Sequence, residues 1–283
     1  MYLAPKAGSA AGAYRASRCV QVCAAGVFAS LIALSTNLWA WSWQDSFFGP
    51  NESRQPDIPW SYQGKTGPDH WDTLAAEFAD CKGEQQSPVD LRGGRQLSYS
   101  PLTFRYRSNP LSMVNDGRSV RIDYLPGSYL IAGGRQYELT GFHFHLPGEH
   151  RINGRAADME IQLVHRDRRG RQAVVAVPIK AGRRMNSTLS RIWDKMPPIG
   201  GQSYYGRQVG INPMFLLPAR HDYYTYVGSL TEPPCTEGVE WFVLTEPLEV
   251  DYSYIHRLAQ VVGSNARPVQ PLNGRPVLKV SRR

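Results

Sequence analysis

The segment from Gly141 to His145 alternates imidazole and aromatic side chains in the order Gly-Phe-His-Phe-His. Successive side chains of a β-strand point to opposite faces. The alternation therefore predicts a strand with His143 and His145 on one face and Phe142 and Phe144 on the other. Neutral imidazole is a good zinc ligand, so two imidazoles on one strand face supply half of a metal site. A pair of solvated or hydrogen-bonded histidines is the alternative interpretation.

A second strand is predicted over residues 159–165, with the sequence Met-Glu-Ile-Gln-Leu-Val-His. The same alternation places the polar side chains of Glu160 and Gln162 on one face. Ile161 and Val164 are expected to pack against neighbouring elements. The chain thus predicts two strands, close in sequence, that each present a pair of polar groups.

Strand and turn patterns dominate the chain from Leu102 onward. Strands are predicted over residues 119–124, 128–132, 136–139, 173–179 and 241–244, with turns at Gly133-Gly134, Asn153-Gly154 and Arg169-Gly170. Helical spacing is found in three short segments, residues 72–80, 186–196 and 251–262, the first and last capped by Asp72 and Asp251. This pattern predicts a mainly β (α+β) single domain with short peripheral helices.

Composition bounds the class of protein. A chain of 283 residues with 42% hydrophobic residues can bury one large core. The formal net charge of +8 suits a surface that attracts anions. The arginines are scattered, mostly in predicted turns, and are not interleaved with aromatic residues, which argues against nucleic-acid binding. They are interpreted as a solvated basic surface, with attraction to a membrane or polyanion as the alternative.

The N-terminus predicts export. Lys6, Arg15 and Arg18 precede an almost continuously apolar stretch over residues 20–34, and no acidic residue occurs before Asp45. Residues 1–41 are therefore predicted to be a secretory signal peptide, or a signal anchor if the apolar run continues through Trp41. Residues 42–59 are predicted to be a linker or strap, and residues 60–283 the folded domain. The expected location is periplasmic or secreted, or the inner membrane if residues 19–41 remain as an anchor.

Several motifs in the folded part occur together and in a fixed order. They are residues 67–71, 86–90, 142–145, 149–150, 226–235 and 265–272. In this order they resemble the α-class carbonic anhydrases of the exported bacterial type, over roughly residues 60–280. The resemblance implies a large twisted, mostly antiparallel central sheet with a zinc ion at the bottom of a conical cleft. It also implies interconversion of carbon dioxide and bicarbonate.

The resemblance assigns roles to individual residues. His143 and His145 correspond to zinc ligands. Thr231 corresponds to the residue that accepts a hydrogen bond from the attacking hydroxide and passes its own proton to Glu149. The apolar pocket for carbon dioxide would be formed by Val164, Val174, Leu230 and Trp241.

The chain departs from the family pattern at the metal site and at its mouth. Gln162 stands where the third zinc histidine is expected, and Gly141 stands where a glutamine usually supports one ligand. Arg118 occupies the position of the proton-shuttle histidine and cannot relay protons, because arginine stays protonated. Arg121, Asp116 and Glu232 make the cleft mouth more charged than the pattern expects.

Two metal hypotheses and three functions follow. The site retains zinc, with Glu160 accepting the Gln162 amide N–H so that the amide oxygen faces the metal, or the site has lost its metal. Glu232 is a further candidate ligand, which would give two histidines and one carboxylate. The expected function is a carbonic anhydrase of impaired activity; the alternatives are a catalytically silent carbonic-anhydrase-related binding module and a metal-dependent hydrolase. The sequence identifies no protein partner.

Removal of the N-terminal segment leaves two cysteines, Cys81 and Cys235. An even pair in an oxidising compartment favours one disulfide, and exported bacterial members of the resembled family commonly bridge these motif positions. Two buried free thiols are the alternative.

Overall fold

The computed structural model describes residues 59–98 and 100–281. The predicted signal segment (residues 1–41) and nearly all of the predicted linker therefore lie outside the described residues. Among the described residues, no helix is both long and apolar enough to cross a membrane.

Within the described ranges the chain forms sixteen strands and three short α-helices. The strands are β1 (Asp90–Leu91), β2 (Arg95–Leu97), β3 (Thr103–Arg105), β4 (Asn109–Asn115), β5 (Val120–Asp123), β6 (Tyr129–Ala132), β7 (Arg135–His145), β8 (Arg151–Ile152), β9 (Arg155–Ala156), β10 (Met159–Arg166), β11 (Gln172–Gly182), β12 (Gln202–Ile211), β13 (Tyr223–Ser229), β14 (Glu237–Leu244), β15 (Leu248–Asp251) and β16 (Leu278–Val280). The helices are α1 (Trp71–Leu74), α2 (Ser187–Lys195) and α3 (Tyr252–Val262), and 3-10 turns span Gly64–Thr66, Ala76–Lys82 and Pro213–Leu216.

Thirteen of these strands form one sheet. Its main path runs β12-β4-β5-β7-β10-β11-β14-β13-β16-β2, while β3 and β6 pair beside β7, and β15 pairs with β11. Most pairs are antiparallel; β11 pairs in parallel with β14 and β15, and β16 pairs in parallel with β2. The expected mainly β domain with a large, mostly antiparallel sheet and short peripheral helices is confirmed.

The two faces of the sheet serve different purposes. The face that carries Phe142, Phe144 and Ile161 contributes to the main hydrophobic core. The opposite face carries the side chains of His143, His145, Glu160 and Gln162. Beside them, a smaller apolar cluster includes Val174, Ala176, Trp241 and Val243, with Val164 and Leu230 packed against it. The period-2 alternation of β7 and β10 thus separates packing residues from polar ones.

Several local predictions are confirmed. The β6–β7 hairpin turns at Gly133 and Gly134, which have φ values of 52° and 77°. Glycine adopts such positive φ angles without a Cβ clash, as two-residue hairpin turns require. Helix α2 begins after Asn186, whose side chain accepts hydrogen bonds from the backbone N–H groups of Thr188 and Leu189.

The other two predicted helices differ in outcome. Helix α3 is capped by Asp251 and ends at Gly263, as expected. The prediction of one helix over residues 72–80, capped by Asp72, is wrong. Ala75 is extended, with φ −159° and ψ 155°, and divides this segment into α1 and the 3-10 turn that follows. His70 is the N-cap residue of α1, and its side chain makes no capping hydrogen bond.

A disulfide joins Cys81 to Cys235, as expected. Cys81 lies at the end of the 3-10 turn that follows Ala75, and Cys235 lies just beyond Thr231. Both cysteines pack with Trp71 and Phe78 in a third buried cluster. The disulfide therefore attaches the loop that contains Thr231 to the N-terminal aromatic cluster.

Candidate metal centre and active site

Strand register brings the predicted site residues together. His143 on β7 lies opposite Arg121 on β5 and opposite Gln162 on β10. Two residues further along β7, His145 lies opposite Glu160. Directly opposed residues of antiparallel strands project from the same face, so these five side chains share one surface of the sheet.

The two histidines each present an unpartnered nitrogen. The Nε2 atoms of His143 and His145 are buried, and neither has a hydrogen-bond partner within the part of the chain that the structure describes. The ring centroids lie 4.9 Å apart. Nδ1 of His145 lies 2.8 Å from the Asn265 carbonyl oxygen, so this nitrogen carries the proton and donates it. The lone pair of Nε2 is consequently available, which is the tautomer that a zinc ligand needs.

The two imidazoles differ in their electrostatic surroundings. Burial, with the neighbouring His145 and Arg121, lowers the pKa of His143 to about 3, so this ring is neutral at physiological pH. Burial also lowers the pKa of His145, but the carboxylates of Glu149 and Glu232 outweigh it and the net pKa is raised. A divalent cation bound beside these carboxylates would favour the neutral form of His145, since metal binding releases ligand protons.

Gln162 is buried and its amide is fixed by two carboxylates. Its Nε2 donates to Oε2 of Glu149 at 2.7 Å and to Oε1 of Glu160 at 3.0 Å. The two N–H groups must face these acceptors, so the amide oxygen faces the other way and lies 3.5 Å from the Thr231 hydroxyl. The anticipated contact with Glu160 is present. The contact with Glu149 was not foreseen from the sequence.

Glu160 belongs to a buried chain of polar groups. It accepts hydrogen bonds from the backbone N–H of His150 at 3.0 Å and from Nδ1 of His150 at 2.9 Å. Nε2 of His150 lies 2.8 Å from the Tyr226 hydroxyl. Burial would raise the pKa of Glu160, but His150 and the amide of Gln162 outweigh it and lower the pKa to about 2. Glu160 is therefore an anion that holds Gln162 in place.

The Glu149 carboxylate lies close to both His145 and Gln162. Its Oε1 accepts the backbone N–H of Arg267 at 2.8 Å and lies 3.4 Å from Nδ1 of His145. Burial raises its pKa, and the nearby His145 and a hydrogen bond from Thr231 reduce but do not cancel the rise. Gln162 and the Arg267 backbone thus donate to Glu149, while the nearby Thr231 hydroxyl lies 3.5 Å from Oε1 of Gln162.

Glu232 lies next to the two histidines. The ligand atoms of His143, His145 and Glu232 all lie within 4.8 Å of one another. Oε1 of Glu232 accepts a hydrogen bond from the Tyr62 hydroxyl at 2.9 Å. Burial and the Glu232 charge hold the pKa of Tyr62 well above its usual value, so Tyr62 remains a donor.

A cavity of about 100 Å³ opens beside these groups. One wall is apolar and contains all four predicted pocket residues, Val164, Val174, Leu230 and Trp241. The other wall is polar, and includes Arg121, Thr140, Arg166 and Gln172. Arg166 and Gln172 were not singled out from the sequence as site residues. Arg166, one of the arginines predicted to form a solvated basic surface, is half-buried and lines this cavity. The alternation of side chains along a strand could have identified both residues. Arg166 shares a face of β10 with Gln162, and Gln172 shares a face of β11 with Val174.

Comparison with known proteins agrees with this geometry. The family model described as eukaryotic-type carbonic anhydrase matches residues 66–281. A carbonic anhydrase of Nostoc sp. is 40% identical over 233 residues, which are 80% of this chain and 88% of that protein. The chain belongs to the α-class carbonic anhydrase family.

Two further relatives show the breadth of that family. The α-carbonic anhydrase of Thermovibrio ammonificans, solved with the inhibitor sulfanilamide, has 38% identity and a TM-score of 0.76, over 79% of this chain and all of that one. Dioscorin dioA3 of Dioscorea japonica is 34% identical over 221 residues, 75% of this chain and 81% of that protein. The relatives of this chain thus include a dioscorin as well as carbonic anhydrases.

Gly141 and Arg118, which depart from the carbonic anhydrase pattern, make different kinds of contact. Gly141 has no side chain to support a histidine, and it pairs through its backbone with Val164 and Asp123. Arg118 forms an ion pair with Asp116 at 3.5 Å, and its guanidinium lies over the Trp60 ring at 4.3 Å from the ring centroid. Asp116 and Trp60 thus engage the Arg118 side chain, and Arg118 is not among the residues that line the cavity beside Thr231.

Proposed function

We propose that this protein is an exported zinc carbonic anhydrase that interconverts carbon dioxide and bicarbonate at a reduced rate. The observation that carries the proposal is the pair of buried, unpartnered Nε2 atoms on His143 and His145 beside Thr231 and Glu149. Two imidazoles with available lone pairs match the donors that zinc prefers. The disulfide and the N-terminal sequence support export.

His143 and His145 would hold the ion, and a third ligand would come from Gln162 or Glu232. Bound zinc supplies a water molecule whose pKa is lowered toward 7, as a nucleophile at neutral pH. Thr231 would orient that nucleophile once its hydroxyl, which lies 3.5 Å from the Gln162 amide oxygen in the structure, gives its proton to Glu149, because the hydroxyl could then only accept. The apolar wall around Val164 and Trp241 receives carbon dioxide, a nonpolar substrate that needs exclusion of water more than polar recognition.

Three features of the chain support a reduced rate. The amide of Gln162 competes with Thr231 for Glu149, because it donates to Oε2 of that carboxylate. Gly141 leaves His143 without a side-chain partner from that position, and such partners typically contribute 10–100-fold to activity or metal affinity, an order-of-magnitude range. Arg118 cannot carry a proton out of the site, since arginine stays protonated.

Stopped-flow measurement of carbon dioxide hydration tests the proposal. The zinc-loaded protein should exceed the uncatalysed rate, and removal of zinc with a chelator should abolish the excess. His145→Ala is the control, because it removes one ligand and leaves the apolar wall unchanged. A zinc-loaded parent no faster than His145→Ala would contradict the proposed activity.

We expect the hydration rate to depend on buffer concentration. With Arg118 paired to Asp116 and stacked on Trp60, proton release falls to buffer molecules that enter the cleft. Turnover should therefore rise with the concentration of an imidazole-type buffer, and Arg118→His should flatten this dependence. A parent turnover that does not respond to buffer would mean that another group relays the proton.

A second candidate function is a catalytically silent binding module with the carbonic anhydrase fold. The observation that favours it is the amide of Gln162, which satisfies two buried carboxylates without any metal. A protein that binds no zinc in the hydration experiment, yet remains folded, would favour this function over the first.

A further inference from the structure

Glu232 has the position and charge of a metal ligand. It lies one residue after Thr231, and one carboxylate oxygen and one ring nitrogen each of His143 and His145 all lie within 4.8 Å of one another. Catalytic zinc sites commonly use three protein ligands, and two histidines with one carboxylate is an established set for zinc and for non-haem iron. The chain therefore offers an anionic third donor in Glu232, whereas Gln162 offers only a neutral oxygen.

The backbone of Glu232 is firmly anchored. Its carbonyl oxygen accepts the N–H of Cys235 at 2.8 Å, and Cys235 is joined to Cys81 by the disulfide. These contacts fix the turn that carries Glu232, so the freedom that remains is in its side chain.

One carboxylate oxygen of Glu232 is engaged and the other is free. Oε1 accepts the hydroxyl of Tyr62, which is packed edge-on against the rings of Trp60 and Trp71. Oε2 accepts no hydrogen bond from any residue in the described ranges. A ligand carboxylate typically has this arrangement, with one oxygen held by a protein donor and the other directed to the metal.

Gln162 is the weaker candidate for the third position. Both of its N–H groups are held by Glu149 and Glu160, which leaves only an uncharged amide oxygen. Zinc bonds to nitrogen and oxygen are about 2.0–2.2 Å long, so a side-chain movement of roughly 1 Å would bring the Glu232 carboxylate and the two imidazoles into one coordination shell. A glutamate side chain makes such a movement by rotation of its own bonds.

We propose that Glu232 is the third protein ligand of the metal centre, that Tyr62 is its positioning residue, and that the centre takes a divalent transition-metal ion. This inference rests on the proposed function only in sharing His143 and His145. It predicts a two-histidine, one-carboxylate centre in place of the three-histidine centre that the sequence resemblance leads one to expect.

Competition titration of the protein with Zn²⁺ against a chromophoric chelator tests the inference without any activity assay. Glu232→Gln should weaken zinc binding about 100-fold, and Tyr62→Phe about 10-fold, the scale on which ligands and their partners act. Glu84→Gln is the matched control, because Glu84 is an exposed carboxylate outside the cluster, and it should bind zinc as the parent does.

The visible absorption spectrum of the Co²⁺-substituted protein provides a readout that a purely structural role would not change. Glu232→Gln should alter the Co²⁺ bands, while the thermal unfolding of the metal-free variant should match that of the metal-free parent. Parent-like zinc affinity in Glu232→Gln would overturn the inference, and so would weaker affinity with an unchanged Co²⁺ spectrum. Absence of carbon dioxide hydration in the parent would bear on the proposed function alone.

Discussion

Gln162→His is expected to raise carbon dioxide hydration by a factor on the order of 10 or more, the scale on which changes around a metal ligand act. The strand register places residue 162 directly opposite His143, so the new imidazole would share its face. Glu160 already lies beside this position as an anion and can accept the N–H of the new ring. The substitution also removes the amide that competes for Glu149, which leaves that carboxylate to Thr231.

Recovery should be partial, because Gly141 and Arg118 remain. The control is Gln136→His, which adds an imidazole at the exposed start of the neighbouring strand β7. That variant should hydrate carbon dioxide at the parent rate. Full zinc occupancy of Gln162→His with no gain in hydration would end the interpretation of this protein as a weakened enzyme.

Acid should destabilise the fold through His165, a histidine outside the metal site. His165 is fully buried, with Nε2 2.7 Å from the Tyr106 hydroxyl, and burial lowers its pKa to about 3. In the unfolded chain its pKa returns to about 6.5, so unfolding takes up a proton as the pH falls below that value. The stabilisation by neutral His165 is complete above pH 6.5 and is lost progressively toward pH 3. By pH 4 this loss amounts to about 3 kcal/mol.

Urea unfolding at pH 7 and pH 4, with chelator present, measures this effect. Glutamine at position 165 cannot titrate and can still bond Tyr106, so His165→Gln should lose about 3 kcal/mol less stability than the parent over that interval. The raised pKa values of Glu149 and His145 act in the opposite sense, and they cancel in the comparison because both proteins contain them. Equal losses in the two proteins would show that His165 does not titrate on unfolding.

The parts of the fold that follow local rules were predictable from the sequence. Alternation along β7 and β10 assigned the faces of His143 and Gln162, and turn residues located the hairpin at Gly133 and Gly134. The prediction of one helix over residues 72–80 is wrong because Ala75 is extended. Helix propensity does not indicate this conformation, and the packing of the surrounding cluster overrides the propensity.

The chemistry of the site depends on contacts between distant segments, which the sequence pattern does not encode. Tyr62 and Glu232 are 170 residues apart, and no periodicity relates them. The second hydrogen bond of Gln162, to Glu149, depends on the path of the loop between β7 and β8. Family resemblance predicted the ligand positions, but Gln162 forms hydrogen bonds to Glu149 and Glu160 that the resemblance does not describe.

Metal analysis of protein purified without chelator tests most directly whether the centre still binds metal. Inductively coupled plasma mass spectrometry should find about one zinc ion per chain in the parent, since three donors next to one another suffice for a catalytic-type site. His143→Ala should lose that zinc while remaining folded. A folded parent that carries no zinc, and takes up none when it is supplied in excess, would contradict the account.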